Sequence, residues 1–298
     1  MRNIYLCGLG ALGTIYAKSL APYGLRVVAD AARVARYRAR GVRVNGEDFA
    51  LSYLTPGEAA PVADLIIVSV KWQQLSEAIE TLRPFVGPQT VILSLMNGID
   101  SEIVLGRAFG MEKLLYAFVV EVDAVRQGQE VRYSKPGTIV FGEARNDGIS
   151  PRVAAVQGLF RRAGINCRVP TDMLRELWWK FMLNVGVNQL SAILRVSYAA
   201  FAGETLRGLV RDACGEVVNI AQAKGIGLTT EDIEAIFPIL DRLAAEQKTS
   251  MLQDVEAGRH TENGMLGESV VVMGQELGIP APVNGMLARM VRVLDERA

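Results

Sequence analysis

The sequence predicts an α/β N-terminal half built on a doubly wound parallel sheet, followed by an all-α C-terminal half. Three observations point there. Short apolar runs alternate with helical segments through the first half of the 298 residues. A glycine-rich turn joins the first apolar run to the first helix. Beyond Arg168 the apolar runs stop and long amphipathic helices take over.

The strand-like runs are IYLC at 4–7, LRVVA at 25–29, LIIVSV at 65–70 and TVILSL at 90–95. Helical segments at 11–22, 31–39 and 73–83 lie between them. Runs this apolar suit strands buried on both faces, as in a parallel sheet sandwiched by helices. A more antiparallel stretch follows in YAFVVEVDAV, QEVRYS and GTIVFGE, with Pro136-Gly137 expected as a turn. Residues 150–164 read as a helix with Ser150 as cap and Pro151 at its first position. The boundary is expected near Arg168–Pro170, giving domains 1–168 and 169–298. In the second domain Thr171 is expected to cap a long helix, and further helices fit 203–224, 229–243, 263–277 and 283–296.

Composition removes several function classes. Lys plus Arg and Asp plus Glu both number 32, so the chain is formally neutral and carries no basic run for a nucleic acid. No apolar segment approaches membrane-spanning length, and a cytoplasmic protein is expected. Cys7, Cys167 and Cys214 have no metal-ligand spacing and read as small buried residues. No metal is expected. The single histidine, His260, excludes chemistry that needs a histidine cluster.

Gly8, Gly10 and Gly13 form G-x-G-x-x-G in YLCGLGALG, after a strand and at the start of a helix. That context suits a dinucleotide pyrophosphate held on a helix N-terminus, with Leu9, Ala11 and Leu12 completing the loop. Asp30, at the end of the second strand, stands where a carboxylate accepts from the adenine ribose, which favours NAD. Arg33, three residues later, suits the extra phosphate of NADP, and spacing does not decide between them. Lys71 follows LIIVSV, Gln74 lies one turn beyond it, and Asn97 follows TVILSLM. All three are expected at the carboxyl ends of parallel strands, where ligands bind in open α/β sheets.

The second half contains WWKFMLNVGVNQLSAIL, in which Lys180, Asn184 and Asn188 recur every fourth residue on an otherwise apolar helix. They share one side of that helix. Burying an ammonium and two amides is unfavourable unless they meet partners, so the line faces polar groups of the chain or a polar ligand. A lysine in apolar surroundings has a lowered pKa and can serve as a general acid. A second polar patch, KTSMLQDVEAGRHTENG, offers Ser250 as a donor and Glu262 as an acceptor for a substrate hydroxyl or a partner for Lys180.

Taken together, CGLGALG, SVKWQQ, LMNGID, WWKFMLNVGVNQLSA and KTSMLQDVEAGRHTE resemble the ketopantoate reductase family over nearly the whole chain. The resemblance implies a Rossmann-type N-terminal domain, a helical C-terminal domain, and a site in the cleft between. It implies NADPH-dependent reduction of 2-dehydropantoate to (R)-pantoate, for pantothenate and coenzyme A synthesis. By the same resemblance Lys180 is the general acid and Glu262 also belongs to the catalytic set. Asn97, Asn184, Asn188 and Ser250 hold substrate, while Lys71, Gln74 and Asn97 lie on the cofactor side. The chain departs from the family pattern in two places. Asp30 stands where many members carry arginine, so NADP(H) is the expected cofactor with NAD(H) left open. Asn263-Gly264 follow Thr261-Glu262 where many members carry an apolar residue and an acid, which leaves another 2-oxo acid open as substrate. The competing readings are a related reductase of another 2-oxo acid and a non-catalytic NAD(P)-binding sensor. A homodimer also stays open.

Overall fold

The computed structural model describes every residue from Met1 to Ala298. Contacts divide the chain into two compact units, Met1–Met173 and Leu174–Ala298. The first therefore runs past Arg168. Residues 170–173 stay with it because Asn146 Nδ2 donates to the Pro170 carbonyl, Asn146 N–H to the Thr171 carbonyl, and Met173 N–H to Ala144.

The first unit begins β1 (Ile4–Cys7), α1 (Ala11–Leu20), β2 (Leu25–Val28) and α2 (Ala31–Arg40). Three short strands follow, β3 (Arg43–Val44), β4 (Glu47–Asp48) and β5 (Ser52–Leu54). Next come β6 (Leu65–Val68), α3 (Leu75–Leu82), β7 (Val91–Ser94) and α4 (Ser101–Phe109). The unit ends with β8 (Leu114–Val122), β9 (Val125–Gln127), β10 (Glu130–Arg132), β11 (Pro136–Gly142), α5 (Pro151–Arg162) and β12 (Cys167–Arg168). Eight strands form one sheet in the order β12-β11-β8-β7-β6-β1-β2-β5. From β8 to β5 every pairing is parallel, and β11 runs antiparallel to β8. The residues of β1, β6 and β7 are all buried, the outcome expected of strands covered on both faces. The chain leaves β1 toward β2 and β5, then returns to β6 on the other side of β1. The strand order thus reverses between β1 and β6, the arrangement that opens a crevice at the carboxyl ends of the strands.

A second, four-stranded sheet, β4-β3-β10-β9, was not visible in the sequence pattern. Pro136-Gly137 also differs from the expected turn, because both residues lie in β11. Pro136 is the first strand residue, where its missing N–H is tolerated. Gly137 has φ of 85°, and a Cβ there would stand 2.9 Å from the Val120 carbonyl oxygen.

The second unit is helical throughout. Its long helices are α6 (Met173–Leu194) and α7 (Glu204–Ala223). Short α8 (Thr230–Glu234) and α9 (Phe237–Leu240) replace the single helix expected over 229–243. Pro238, which cannot donate within a helix interior, sits instead in the first turn of α9. The chain closes with α10 (Ser250–Glu256), α11 (Gly267–Leu277) and α12 (Pro282–Asp295). Thr171 does not cap α6, which starts at Met173. Its carbonyl instead serves Asn146. No helix is long and apolar enough to cross a membrane.

Candidate functional site

In the first unit the predicted residues gather at the carboxyl edge of the sheet. Gly8 follows β1, Asp30 follows β2, Lys71 follows β6 and Asn97 follows β7. Gly8 has φ of 107°, and a Cβ there would lie 2.3 Å from the Ser69 carbonyl oxygen, so only glycine lets the turn pass the end of β6. Gly13 is equally constrained: a Cβ on it would lie 1.9 Å from the Gly8 carbonyl oxygen. Gly10 differs. It is exposed, its φ of −71° suits any residue, and the nearest atom to a Cβ would be the Ser69 oxygen at 3.9 Å. The protein itself does not require glycine at Gly10, whereas a phosphate resting on the backbone does. Gly10 also leaves the α1 N-terminus without a side-chain cap, so its first-turn N–H groups remain directed at whatever lies beyond. These features fit a dinucleotide pyrophosphate at Gly8–Gly13. Leu9 is buried beneath the turn, and Ala11 and Leu12 begin α1.

Asp30 and Arg33 are bonded to each other. Asp30 is the N-cap of α2: its Oδ1 accepts from the Arg33 N–H at 2.8 Å, and Oδ2 lies 3.0 Å from Arg33 Nη1. The backbone N–H of Arg33 is the main reason the Asp30 carboxyl is held below its ordinary range. Arg33 reaches further, to the Glu77 carboxylate on α3, with two bonds of 2.6 and 2.8 Å. Glu77 had no signal in the sequence, because it lies 44 positions from Arg33. Lys71 and Gln74 are exposed around the short 3₁₀ turn Trp72–Gln74, and Asn97 is half-buried.

Beneath the Asn97 loop lies a buried polar group that sequence reasoning missed. Glu102, in the first turn of α4, accepts from the Ser101 hydroxyl at 2.8 Å, and Ser101 is bonded in turn to Ser94 at the end of β7. Burial pushes the Glu102 carboxyl up to about 7 against these hydrogen bonds. Its position in EIVLGRA looks like an ordinary acidic first turn, which is why the pattern conceals it.

In the second unit Lys180, Asn184 and Asn188 lie along α6, with Asn184 and Asn188 buried and Lys180 partly accessible. Desolvation lowers the Lys180 pKa to about 8, and no carboxylate attraction contributes to offset it. An ion pair with Glu262 would act in the opposite direction. At about 100° per residue, Ser191 falls on the same side as the three and extends the line. Its hydroxyl donates to the Val196 carbonyl at 2.7 Å and accepts from Thr249 at 3.1 Å. Thr249 is the N-cap of α10, so this bond fastens the segment bearing Ser250 to the far end of the polar line. Ser250 itself is exposed.

Glu262 is buried in a loop pinned on both sides. Thr261 donates through its N–H and hydroxyl to Asp295 at 2.8 and 2.9 Å. Asn263 donates to the Ala288 carbonyl and to Glu268 at 2.9 and 3.2 Å. The Asn263 amide nitrogen is thus turned toward α12 and α11, while its Oδ1 is buried without a hydrogen-bond partner. The same segment abuts α6 at Gly267, where a Cβ would lie 2.1 Å from Gln189 Oε1. The loops carrying Ser250 and Glu262 are therefore both anchored to the C-terminal half of α6. Gln189 belongs to a different set. It donates to Asn284 Oδ1, Asn284 donates to Glu216, and the Glu216 carboxylate caps the α12 N–H groups of Val283 and Asn284. That network is structural.

Comparison with known proteins agrees over both units. The family model described as ketopantoate reductase PanE/ApbA matches residues 4–146, and that of the ketopantoate reductase PanE/ApbA C terminal matches 172–295. The 2-dehydropantoate 2-reductase of Halobacterium salinarum is 28% identical over 308 residues, covering 98% of each chain. The crystal structure of 2-dehydropantoate 2-reductase from Geobacter metallireducens is 28% identical with a TM-score of 0.86, covering 98% of this chain and 99% of that one. A D-mandelate dehydrogenase in complex with NADH shares the fold at a TM-score of 0.88 and 22% identity, covering 99% of this chain and 100% of that one.

Proposed function

The chain belongs to the ketopantoate reductase family, and from that premise we propose that it reduces 2-dehydropantoate to (R)-pantoate with Lys180 as the general acid. The observation that carries this reading is the Lys180 ammonium, desolvated to a pKa of about 8 at the head of a polar line on an apolar helix. A bound reduced nicotinamide, seated through its pyrophosphate on Gly8–Gly13, supplies the hydride.

Lys180 donates its proton to the carbonyl oxygen as the C2 carbon accepts the hydride, and the neutral amine is recharged from water. A pKa near the working pH makes it a stronger acid than an exposed lysine while leaving it mostly protonated at neutrality. Asn184, Asn188 and Ser250 supply donors for the substrate carboxylate and carbonyl. Glu262 accepts from the substrate hydroxyl, and Asn97 is assigned to the substrate- and cofactor-binding set by the family pattern. The product would feed pantothenate and hence coenzyme A synthesis.

The test follows reduced-nicotinamide absorbance with purified protein, 2-dehydropantoate and each of NADH and NADPH. Turnover is expected, with kcat/KM declining as pH rises through the Lys180 pKa of about 8. Lys180→Ala is expected to lower kcat by about 10²- to 10⁴-fold with nucleotide binding retained. Undiminished turnover by that variant would remove Lys180 from the mechanism. Turnover of a different 2-oxo acid in place of 2-dehydropantoate would replace the substrate and keep the acid.

A further inference from the structure

We propose that Glu77, together with Asp30, makes this chain select NADH over NADPH by holding the Arg33 guanidinium in a closed carboxylate pair. The inference rests on the dinucleotide reading of the Gly8–Gly13 loop given above. NADPH differs from NADH by a phosphate monoester on the adenine ribose, a dianion with acceptors only. Beside the end of β2, a protein can meet it in two ways, with a cationic side chain or with open N–H groups at a helix N-terminus. This chain has both, and both are occupied by its own carboxylates.

The α2 N-terminus is filled by Asp30, which takes the Arg33 N–H at 2.8 Å. The α1 N-terminus, one strand away, has no such side chain. The cation is filled as well. Arg33 directs Nη1 and Nη2 at the two oxygens of Glu77, at 2.6 and 2.8 Å, while Nη1 also lies 3.0 Å from Asp30 Oδ2. Two carboxylates around one guanidinium leave a net charge of minus one. A phosphate arriving there must displace one of them and then lie beside it. The next arginine on α2, Arg36, stands one turn further from the helix end with its guanidinium over the Tyr37 ring at 5.9 Å.

A ribose hydroxyl meets a different environment. Each carboxylate oxygen accepts more than one hydrogen bond, so Asp30 still has acceptor sites for hydroxyl donors while bonded to Arg33. The group that repels the 2′-phosphate is thus the one that holds the 2′-hydroxyl. Glu77 is exposed on α3, and an exposed ion pair contributes little to folding. Its replacement therefore leaves the fold intact and reports on selection alone.

The experiment titrates the full-length protein with NADH and with NADPH, following nicotinamide fluorescence with no oxo acid present. The native chain is expected to bind NADH at least about tenfold more tightly. Glu77→Gln releases Arg33 and is expected to tighten NADPH by about tenfold while moving NADH far less. Asp30→Asn keeps an N-cap and removes the charge, so it is expected to weaken NADH and improve NADPH. Adding Arg33→Ala to Glu77→Gln is expected to erase the NADPH gain. Equal or tighter NADPH binding by the native chain overturns the inference, as does an unchanged ratio in Glu77→Gln. A gain that survives loss of Arg33 also overturns it. Failure to bind either nucleotide removes the dinucleotide reading and this inference with it. The expected ratio without reduction of 2-dehydropantoate upholds the inference and removes only the proposed substrate.

Discussion

Replacing Lys180 with methionine is expected to abolish reduction and to stabilise the helical unit. The magnitude follows from desolvation. The ordinary lysine value of 10.5 falls to about 8 in the folded chain, with burial as the cause. At 1.36 kcal/mol per pH unit that gap corresponds to roughly 3 kcal/mol of unfavourable free energy for the buried ammonium. Lys180 is partly accessible, so solvent screening reduces the effect to about 1–2 kcal/mol. Methionine keeps the linear shape and removes the charge. The sign has a pH signature. Between about 8 and 10.5 the unfolded chain binds more protons at this lysine than the folded chain does, so stability contributed by Lys180 rises with pH across that window. The penalty is complete below it and absent above it. The advantage of Lys180→Met is therefore greatest near neutral pH and shrinks toward about pH 10. Urea unfolding, followed by the fluorescence of Trp178 and Trp179 on α6, measures this in the unit concerned. A variant less stable than the native chain at neutral pH, or a difference independent of pH, would refute the reasoning. It would mean that the ammonium is solvated or paired when folded.

The glycines of the loop separate fold from ligand. Gly13→Ala is expected to disturb α1 and weaken dinucleotide binding at least about tenfold, since its Cβ meets the Gly8 carbonyl at 1.9 Å. Gly10→Ala is expected to leave the melting temperature nearly unchanged yet also weaken binding, and intact binding would show that no phosphate rests there. Glu216→Ala removes the acceptor of three donors, at 2.7, 2.8 and 2.9 Å. It is expected to cost about 3 kcal/mol or more by chemical denaturation, and a cost under about 1 kcal/mol would show that water replaces the carboxylate. Glu102→Gln probes the raised carboxyl beneath the Asn97 loop. The folded chain holds its proton up to about 7, so native stability contributed by Glu102 declines as pH rises from about 4.5 to about 7. The melting temperature of the glutamine variant relative to native is expected to rise over that window, and a flat difference would contradict the assignment.

The sheet was legible in the sequence because its central strands are buried on both faces and read as unbroken apolar runs. Strands of two or three residues are too short to display a period, so β5 and β12 at the edges of the main sheet and β3 and β4 of the second gave no signal, and QEVRYS marked β10 without its partners. Pro136-Gly137 misled because the same dipeptide serves a turn or the start of a strand, and only the closeness of Val120 decides. The helix α4 went unread after LMNGID, where Gly106 interrupts a good helical pattern. That glycine exists because Met111 packs against it, with Sδ 1.9 Å from a hypothetical Cβ. In the candidate site, the regular spacing of Lys180, Asn184 and Asn188 was local information. Ser191 continues it at a three-residue step, which the four-residue spacing does not mark. Glu77 and the Gln189–Asn284–Glu216 network depend on partners distant in the chain, which no local pattern carries.

Two groups of polar residues on α6 break the rule that a buried helix face is apolar, and they break it in different ways. Gln189 passes its hydrogen bond through Asn284 to Glu216, and the network ends at the N-terminus of α12. The Glu216 carboxylate is answered inside the protein by Asn284 and the α12 N–H groups, although Gln189 Oε1 is buried without a hydrogen-bond partner. The Lys180 ammonium is not offset in that way, because desolvation lowers its pKa with no carboxylate opposing it. A leucine at that position would pack without the penalty, and its absence marks a place where stability yields to another requirement. Under the proposed function, an anionic 2-oxo acid satisfies that requirement. Its carboxylate, and then the charge developing on its carbonyl oxygen, supply the negative potential the ammonium lacks. With Lys180 as the proposed general acid, substrate binding is expected to raise its pKa and keep the proton in place until the oxygen becomes basic enough to take it. On this argument the pH at which kcat declines lies above the pH at which kcat/KM declines, because the first reports the complex and the second the free enzyme. Coincident profiles would show that the substrate's charge does not reach Lys180.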